Sequence, residues 1–244
     1  MQNQSSVAVV LVEPQSPGNI GMVCRAMKNM GLRELLLVNP CPVQHPDAYR
    51  FAVSARDVLD SARIFGSLAE ALSDRHISIA TTRRHGKYRR DIMSPVEVAA
   101  RLNAQIDINR AAFVFGREDS GLTTEEVAQC TWQATIPTDD EYGSLNLAQA
   151  VLIFSYEFFK ARSSKGEKSG RQLAAAGDFE SLYSHMEQTL LRIGFLNPQN
   201  PDHLMRTFRR ILARSEMDSR DVAIFRGMMT QIDWATNEYK GKKR

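Results

Sequence analysis

The chain has 244 residues, 43% of them hydrophobic and 24% charged. That composition supplies a buried core and excludes wholesale disorder, a collagen-like chain and a disulfide scaffold. Lys and Arg number 31 against 28 Asp and Glu, and a net charge of +3 does not by itself imply a nucleic-acid partner. Its distribution says more: residues 163–244 hold 14 basic and 10 acidic side chains. No apolar run is long enough to span a bilayer. The start, MQNQSSVAVVLVE, lacks the basic opening and cleavage site of a secretory signal. Cys24, Cys41 and Cys130 have no CxxC spacing. They read as reduced thiols of a cytoplasmic protein, and no metal site is expected.

In chain order, the first 160 residues alternate short apolar runs with helical patterns. Residues 7–12 (VAVVLV), 35–38 (LLLV), 77–81 (ISIAT) and 111–115 (AAFVF) read as buried strands ending at turn residues. Residues 132–136 (WQATI) are a fifth candidate, stopped by Pro137. Helical patterns lie at 19–30, 68–72, 95–102, 124–130 and 145–161, and Thr123 with Glu126 forms a capping-box signal. Strand–helix alternation predicts an α/β fold with a mainly parallel sheet. Residues 163–176 (SSKGEKSGRQLAAA) are polar and Gly- and Ser-containing, and read as a linker. Beyond it, helical patterns at 178–194, 201–213 and 219–239 predict a small helical extension. In the first of these Phe179, Leu182, Tyr183, Met186, Leu190 and Ile193 recur at helical spacing. The chain thus divides into 1–162, a linker, and 177–244.

Three segments carry chemistry. The first, Pro17-Gly18-Asn19-Ile20-Gly21-Met22-Val23-Cys24-Arg25, follows a strand and opens a helix, a natural anion site. Asn19 either caps that helix or points into a site. The spacing is not GxGxxG, which argues against a nicotinamide-dependent oxidoreductase. The second segment is Gly116-Arg117-Glu118-Asp119-Ser120-Gly121 at the end of an apolar strand. Gly116 permits close backbone approach by a ligand. Arg117 and Glu118 must pair or meet a ligand if they are buried. The third, Gly143-Ser144-Leu145-Asn146, leads into an apolar helix. Ser144 suits a cap, and Asn146 in the first turn needs a hydrogen-bond partner. The five histidines have neither HxxxH nor HExxH spacing, so each reads as a surface or loop residue. Two basic clusters, RRHGKYRR at 83–90 and Arg206, Arg209, Arg210 and Arg214 on one helix, suit a phosphate backbone or a solvated face.

In this order and at these separations, PGNIGMVCRAMKNMG (17–31), FVFGREDSGL (113–122) and IPTDDEYGSLNLAQA (136–150) resemble the SPOUT superfamily of RNA 2′-O-methyltransferases, in its TrmH/TrmJ-type branch. HMEQTLLRIGF (185–195) in the extension resembles the same branch. The resemblance implies an α/β fold with a trefoil knot formed by roughly residues 77–150, a homodimer, and S-adenosyl-L-methionine as methyl donor. It implies methylation of tRNA at the ribose of nucleotide 32 in the anticodon loop. The same chemistry on rRNA or another tRNA position, and a non-catalytic RNA-binding relative, are the alternatives. Carried over by motif, Arg25, Asn19, Glu118, Ser144 and Asn146 are the expected catalytic residues. Thr81, Thr82, Arg83, Gly116, Ile136, Gly143, Ser144 and Leu145 are the expected cofactor loops. Arg84, Lys87, Arg89, Arg90, Arg206, Arg209 and Arg210 are the expected RNA contacts.

Overall fold

The computed structural model describes residues 7–83, 92–139, 141, 143–163, 172–213 and 215–237. Arg84, Lys87, Arg89, Arg90 and Arg214 lie outside the described residues, as does most of the expected linker.

Among the described residues seven strands form one sheet: β1 (Val7–Val12), β2 (Glu34–Val38), β3 (Arg63–Phe65), β4 (Ile77–Thr81), β5 (Ile92–Met93), β6 (Ala111–Phe115) and β7 (Trp132–Ala134). Their order is β3-β2-β1-β6-β4-β7-β5, and every pairing is parallel. Every residue of β1 and β6 is buried, as expected of strands covered on both faces. The period of two sorts their side chains. Val7, Val9, Leu11, Phe113 and Phe115 face one core, shared with α1 (Pro17–Asn29), α5 (Pro95–Asn103) and α7 (Leu147–Ser163). Ala8, Val10, Val12, Ala112 and Val114 face the other, shared with α4 (Leu68–Leu72) and α6 (Thr124–Ala128).

Among the described residues, the elements that escape the sequence patterns are β3, β5, α2 (Pro46–Ala52), α3 (Arg56–Asp60) and the 3-10 turn Val53–Ala55 between those two helices. β3 is an exposed edge and β5 has two residues, so neither has a readable apolar run. α2 starts at His45, whose Nδ1 accepts from the Asp47 amide at 3.2 Å, with Pro46 in the first turn. His45 is therefore a helix cap rather than a plain loop residue. His76 also has a structural role, accepting the Arg110 amide at 2.9 Å. α2 lies backbone-to-backbone on α1. A Cβ on Gly21 would sit 2.2 Å from the Ala48 carbonyl oxygen.

The extension comprises α8 (Ala176–Arg192), α9 (Asp202–Ala213) and α10 (Ser219–Ala235) around Leu182, Tyr183, Met186, Leu190, Met205, Leu212, Val222 and Met229. It docks through residues expected to be linker. The Leu173 amide donates to Asn109 Oδ1 at 2.9 Å, and the Ala176 amide to the Arg75 carbonyl at 2.8 Å. The fully buried Arg75 guanidinium is gripped by Glu34 and Asp74.

Candidate active site

The parallel sheet sends the loops after β1, β4, β6 and β7 to one edge, the carboxyl edge where open α/β sheets hold ligands. The three motif segments meet there.

Helix α1 begins two residues earlier than its apolar pattern suggests. Ser16 is the cap, accepting the Asn19 amide at 3.4 Å, and Pro17 occupies the first turn, where its missing N–H costs nothing. Asn19 is therefore not the cap, and its side chain is free for lateral bonds. Its Nδ2 donates to Glu118 Oε1 at 2.9 Å, and its Oδ1 accepts from Asn146 Nδ2 at 3.0 Å. Glu118 also accepts the amides of Gln15 at 2.9 Å and Ser16 at 3.2 Å. Asn146, expected in the first turn, is itself the cap of α7. Its Oδ1 accepts the Ala148 amide at 2.9 Å, and its carbonyl accepts the Ala150 amide. Ser144 is exposed instead of capping.

The chain of bonds has a direction. The Ala148 N–H can only donate, so Asn146 must present Oδ1 to it and Nδ2 to Asn19. Asn19 then turns Oδ1 toward Asn146 and Nδ2 toward the carboxylate. Residues 19, 118 and 146 are thus joined by two side-chain bonds across more than a hundred residues of sequence.

Arg117 and Glu118 both pair, but not with each other. Arg117 donates to Glu126 at 3.0 and 3.1 Å, to Glu13 at 2.9 Å and to the Gly121 carbonyl at 3.3 Å. The hydrogen bonds that Arg117 donates to Glu126 and Glu13 raise its pKa, and Arg117 in turn holds Glu13 below the usual carboxylate range. Gln15 Nε2, followed by the Ser120 hydroxyl, lowers Asp119 in the same way. At Gly116 the close approach is made by the loop itself: a Cβ there would sit 2.2 Å from Gly121 C and 2.3 Å from Leu122 N. Gly121 has φ +72°, which suits glycine.

The expected cofactor loops converge beside this network. The Thr81 hydroxyl donates to the Val114 carbonyl at 2.9 Å, tying β4 to β6, and the Thr82 amide donates to the Ala134 carbonyl at 2.9 Å, tying it to β7. A Cβ on Gly143 would sit 2.6 Å from Thr138 Oγ1 and 2.9 Å from Arg83 Nε, so the first and third loops touch. Ile136 is half-buried against the main core, while Leu145 is exposed. Arg25 is exposed on α1, and among the described residues it has no hydrogen-bond or ion-pair partner.

The arginines of α9 divide. Arg210 is exposed and without a partner among the described residues. Arg206 lies 3.7 Å from Glu125 on α6. Arg209 is turned inward: Glu180 takes both its terminal nitrogens, and it stacks over Tyr183 at 4.3 Å. Arg209 thus braces the extension. Sequence reasoning missed Gln15 and Ser16, although Ser followed by Pro before a helical pattern is a start signal.

The model of the SpoU rRNA Methylase family matches residues 6–156, and that of the tRNA methyltransferase TrmJ C-terminal domain matches 177–243. The tRNA (cytidine/uridine/adenosine-2′-O-)-methyltransferase TrmJ of Pseudomonas aeruginosa is 41% identical over 238 residues, 92% of this chain and 93% of that protein. The tRNA (cytidine/uridine-2′-O-)-methyltransferase TrmJ of Escherichia coli is 36% identical over 244 residues, 98% of each chain. The crystal structure of TrmJ from Z. mobilis superposes with a TM-score of 0.83 at 33% identity, covering 93% of this chain and 98% of that one. The chain belongs to the SpoU methylase family, in its TrmJ branch, and is a methyltransferase.

Proposed function

We propose that the chain transfers a methyl group from S-adenosyl-L-methionine to a ribose 2′-hydroxyl of tRNA, at nucleotide 32 of the anticodon loop. The observation that carries the reading is the Asn146–Asn19–Glu118 chain, which joins all three motif segments at the sheet edge beside the loops at 81–83, 116 and 136–145. The tRNA substrate follows the TrmJ relatives, which match both parts of the chain.

The residues present suit the cofactor. Gly116 and Gly143 let the loops close on their neighbours where a Cβ would collide, which brings the segments expected to line the cofactor to one edge. Thr81, Thr82, Arg83, Gly116, Ile136, Gly143, Ser144 and Leu145 would hold the adenosine and amino-acid parts, largely through main-chain groups. The bound cofactor supplies a methyl carbon activated by a positively charged sulfur. The protein's task is then positioning. Arg25 holds a phosphate beside the target ribose with its planar fork, and stabilises negative charge growing on the 2′-oxygen. A guanidinium has no acceptor, so the hydroxyl proton leaves to phosphate or water. Glu118 fixes the start of α1, and with Asn146 it orients the Asn19 amide.

In this reading the segment 77–150 is knotted and two copies pair. The exposed apolar stripe of Leu145, Leu152, Tyr156 and Phe159 on and before α7 supports the dimer, since water-facing side chains at helical spacing on an apolar helix seek cover. Arg206 and Arg210, with the cluster at 83–90, meet the tRNA backbone, while Arg209 serves the fold. The test incubates purified protein with a tRNA pool and methyl-labelled S-adenosylmethionine. Label enters tRNA with the parent protein and falls at least about tenfold with Asn19→Ala. No incorporation by the parent overturns the reading.

A further inference from the structure

The loop between α9 and α10 reaches back to the strand that feeds the third cofactor loop. Glu216, in that loop, has φ +46°, a left-handed conformation that side chains adopt only when their surroundings hold them there. Its carboxylate accepts from Arg101 Nη2 at 2.5 Å and from Gln105 Nε2 at 3.5 Å. The neighbouring Met217 is buried, and its carbonyl accepts the Ala174 amide at 2.8 Å, so the loop is anchored on both units.

Arg101, on α5, does more than pair with Glu216. Its guanidinium carbon lies 4.4 Å from the ring centroid of Trp132, a cation over an indole face. Trp132 is 5% exposed, and among the described residues its indole N–H has no hydrogen-bond partner. Packing and this cation therefore seat the ring. Trp132 opens β7, a strand of only three residues that pairs with β4 along its length and with the two-residue β5 on its other side. Two residues later the Ala134 carbonyl receives the Thr82 amide at 2.9 Å, and Ile136 and Gly143 follow. A continuous path runs from Glu216 through Arg101, Trp132 and Ala134 to Thr82.

We infer that Glu216 and Arg101 are positioning residues that clamp β7, so that the helical extension sets the geometry of the loops at 81–83 and 136–145 and hence the affinity for an adenosine-containing sulfonium. This rests on the assignment of those loops to S-adenosylmethionine. Without the clamp a short strand samples more arrangements, and apparent affinity falls by the fraction that remains competent. Among the described residues, Arg101 meets Trp132 and Glu216 meets Arg101 and Gln105, so both act through the strand.

The experiment uses full-length protein carrying Trp234→Phe. Trp234 is 78% exposed and the chain has 2 tryptophans, so Trp132 becomes the lone emitter. S-adenosylmethionine is titrated by calorimetry and by Trp132 emission. Glu216→Gln and Arg101→Met each weaken binding by about three- to tenfold, the scale of one exposed ion pair and one cation–π contact. Their effects do not multiply in the double variant, and Arg101→Lys recovers most of the affinity. Variants that bind like their parent, whatever their melting temperature, overturn the inference alone. A parent that binds no S-adenosylmethionine overturns the functional reading and this inference with it.

Discussion

A side-chain amide has a donor end and an acceptor end, and at Asn146 the first turn of α7 decides which faces where. The Ala148 amide claims Oδ1, Nδ2 goes to Asn19, and the polarity carries through to Glu118. Sequence could say that an amide in an apolar helix start needed a partner. It could not say that the partner lay 127 residues away. Arg25 contrasts with this network. It is an exposed guanidinium with no partner among the described residues, so nothing in the described fold uses its charge. A role for its planar fork on RNA predicts that Arg25→Lys, which keeps the charge and loses bidentate geometry, lowers kcat about tenfold or more. Cofactor affinity should stay at the parent value. Single-turnover methyl transfer and calorimetry check the two halves, and full turnover in the variant would remove the fork from the mechanism.

At the scale of elements, the buried strands β1, β4 and β6 were legible to the residue, because strands covered on both faces are continuous aliphatic runs. The exposed edge β3 and the two-residue β5 carried no such signal. Helix α2 was hidden for another reason. Its contact with α1 is made by Ala48, Ala52 and the absence of a side chain at Gly21, and small residues leave no apolar stripe to read. The cost of disturbing that contact is predictable. Gly21→Ala places a methyl 2.2 Å from a carbonyl oxygen and 2.9 Å from the Ala52 amide nitrogen, and both neighbours are backbone that cannot swing aside. A loss of about 2–3 kcal/mol is expected, the upper range for overpacking, with Tm falling by roughly 4–12 °C. A thermal melt unchanged by the substitution would mean that α1 and α2 are not packed this closely. Arg209 shows the same limit on α9. Helical spacing placed it with Arg206 and Arg210, yet Tyr183 and Glu180 draw it inward.

Across the whole molecule, a parallel α/β unit and a helical unit with a core of its own are joined by backbone bonds at 173–177 and by Arg101–Glu216. Arg206 on α9 lies 3.7 Å from Glu125 on α6, the helix that follows the loop at 116–122, so α9 brings Arg206 and Arg210, the proposed RNA contacts, to that side of the sheet. Arg210→Glu tests that footprint. It should weaken tRNA binding several-fold and reduce the slope of log affinity against log salt by about one, leaving S-adenosylmethionine binding intact. An unchanged slope would place the RNA on another face. The most direct measurement for the account as a whole is the chemical identity of the product. Transfer RNA incubated with the protein and methyl-labelled S-adenosylmethionine is digested to nucleosides, and the label is located by mass spectrometry. The account predicts label on the ribose 2′-oxygen, at nucleotide 32. Label on a base, or label confined to ribosomal RNA offered in competition, would contradict it.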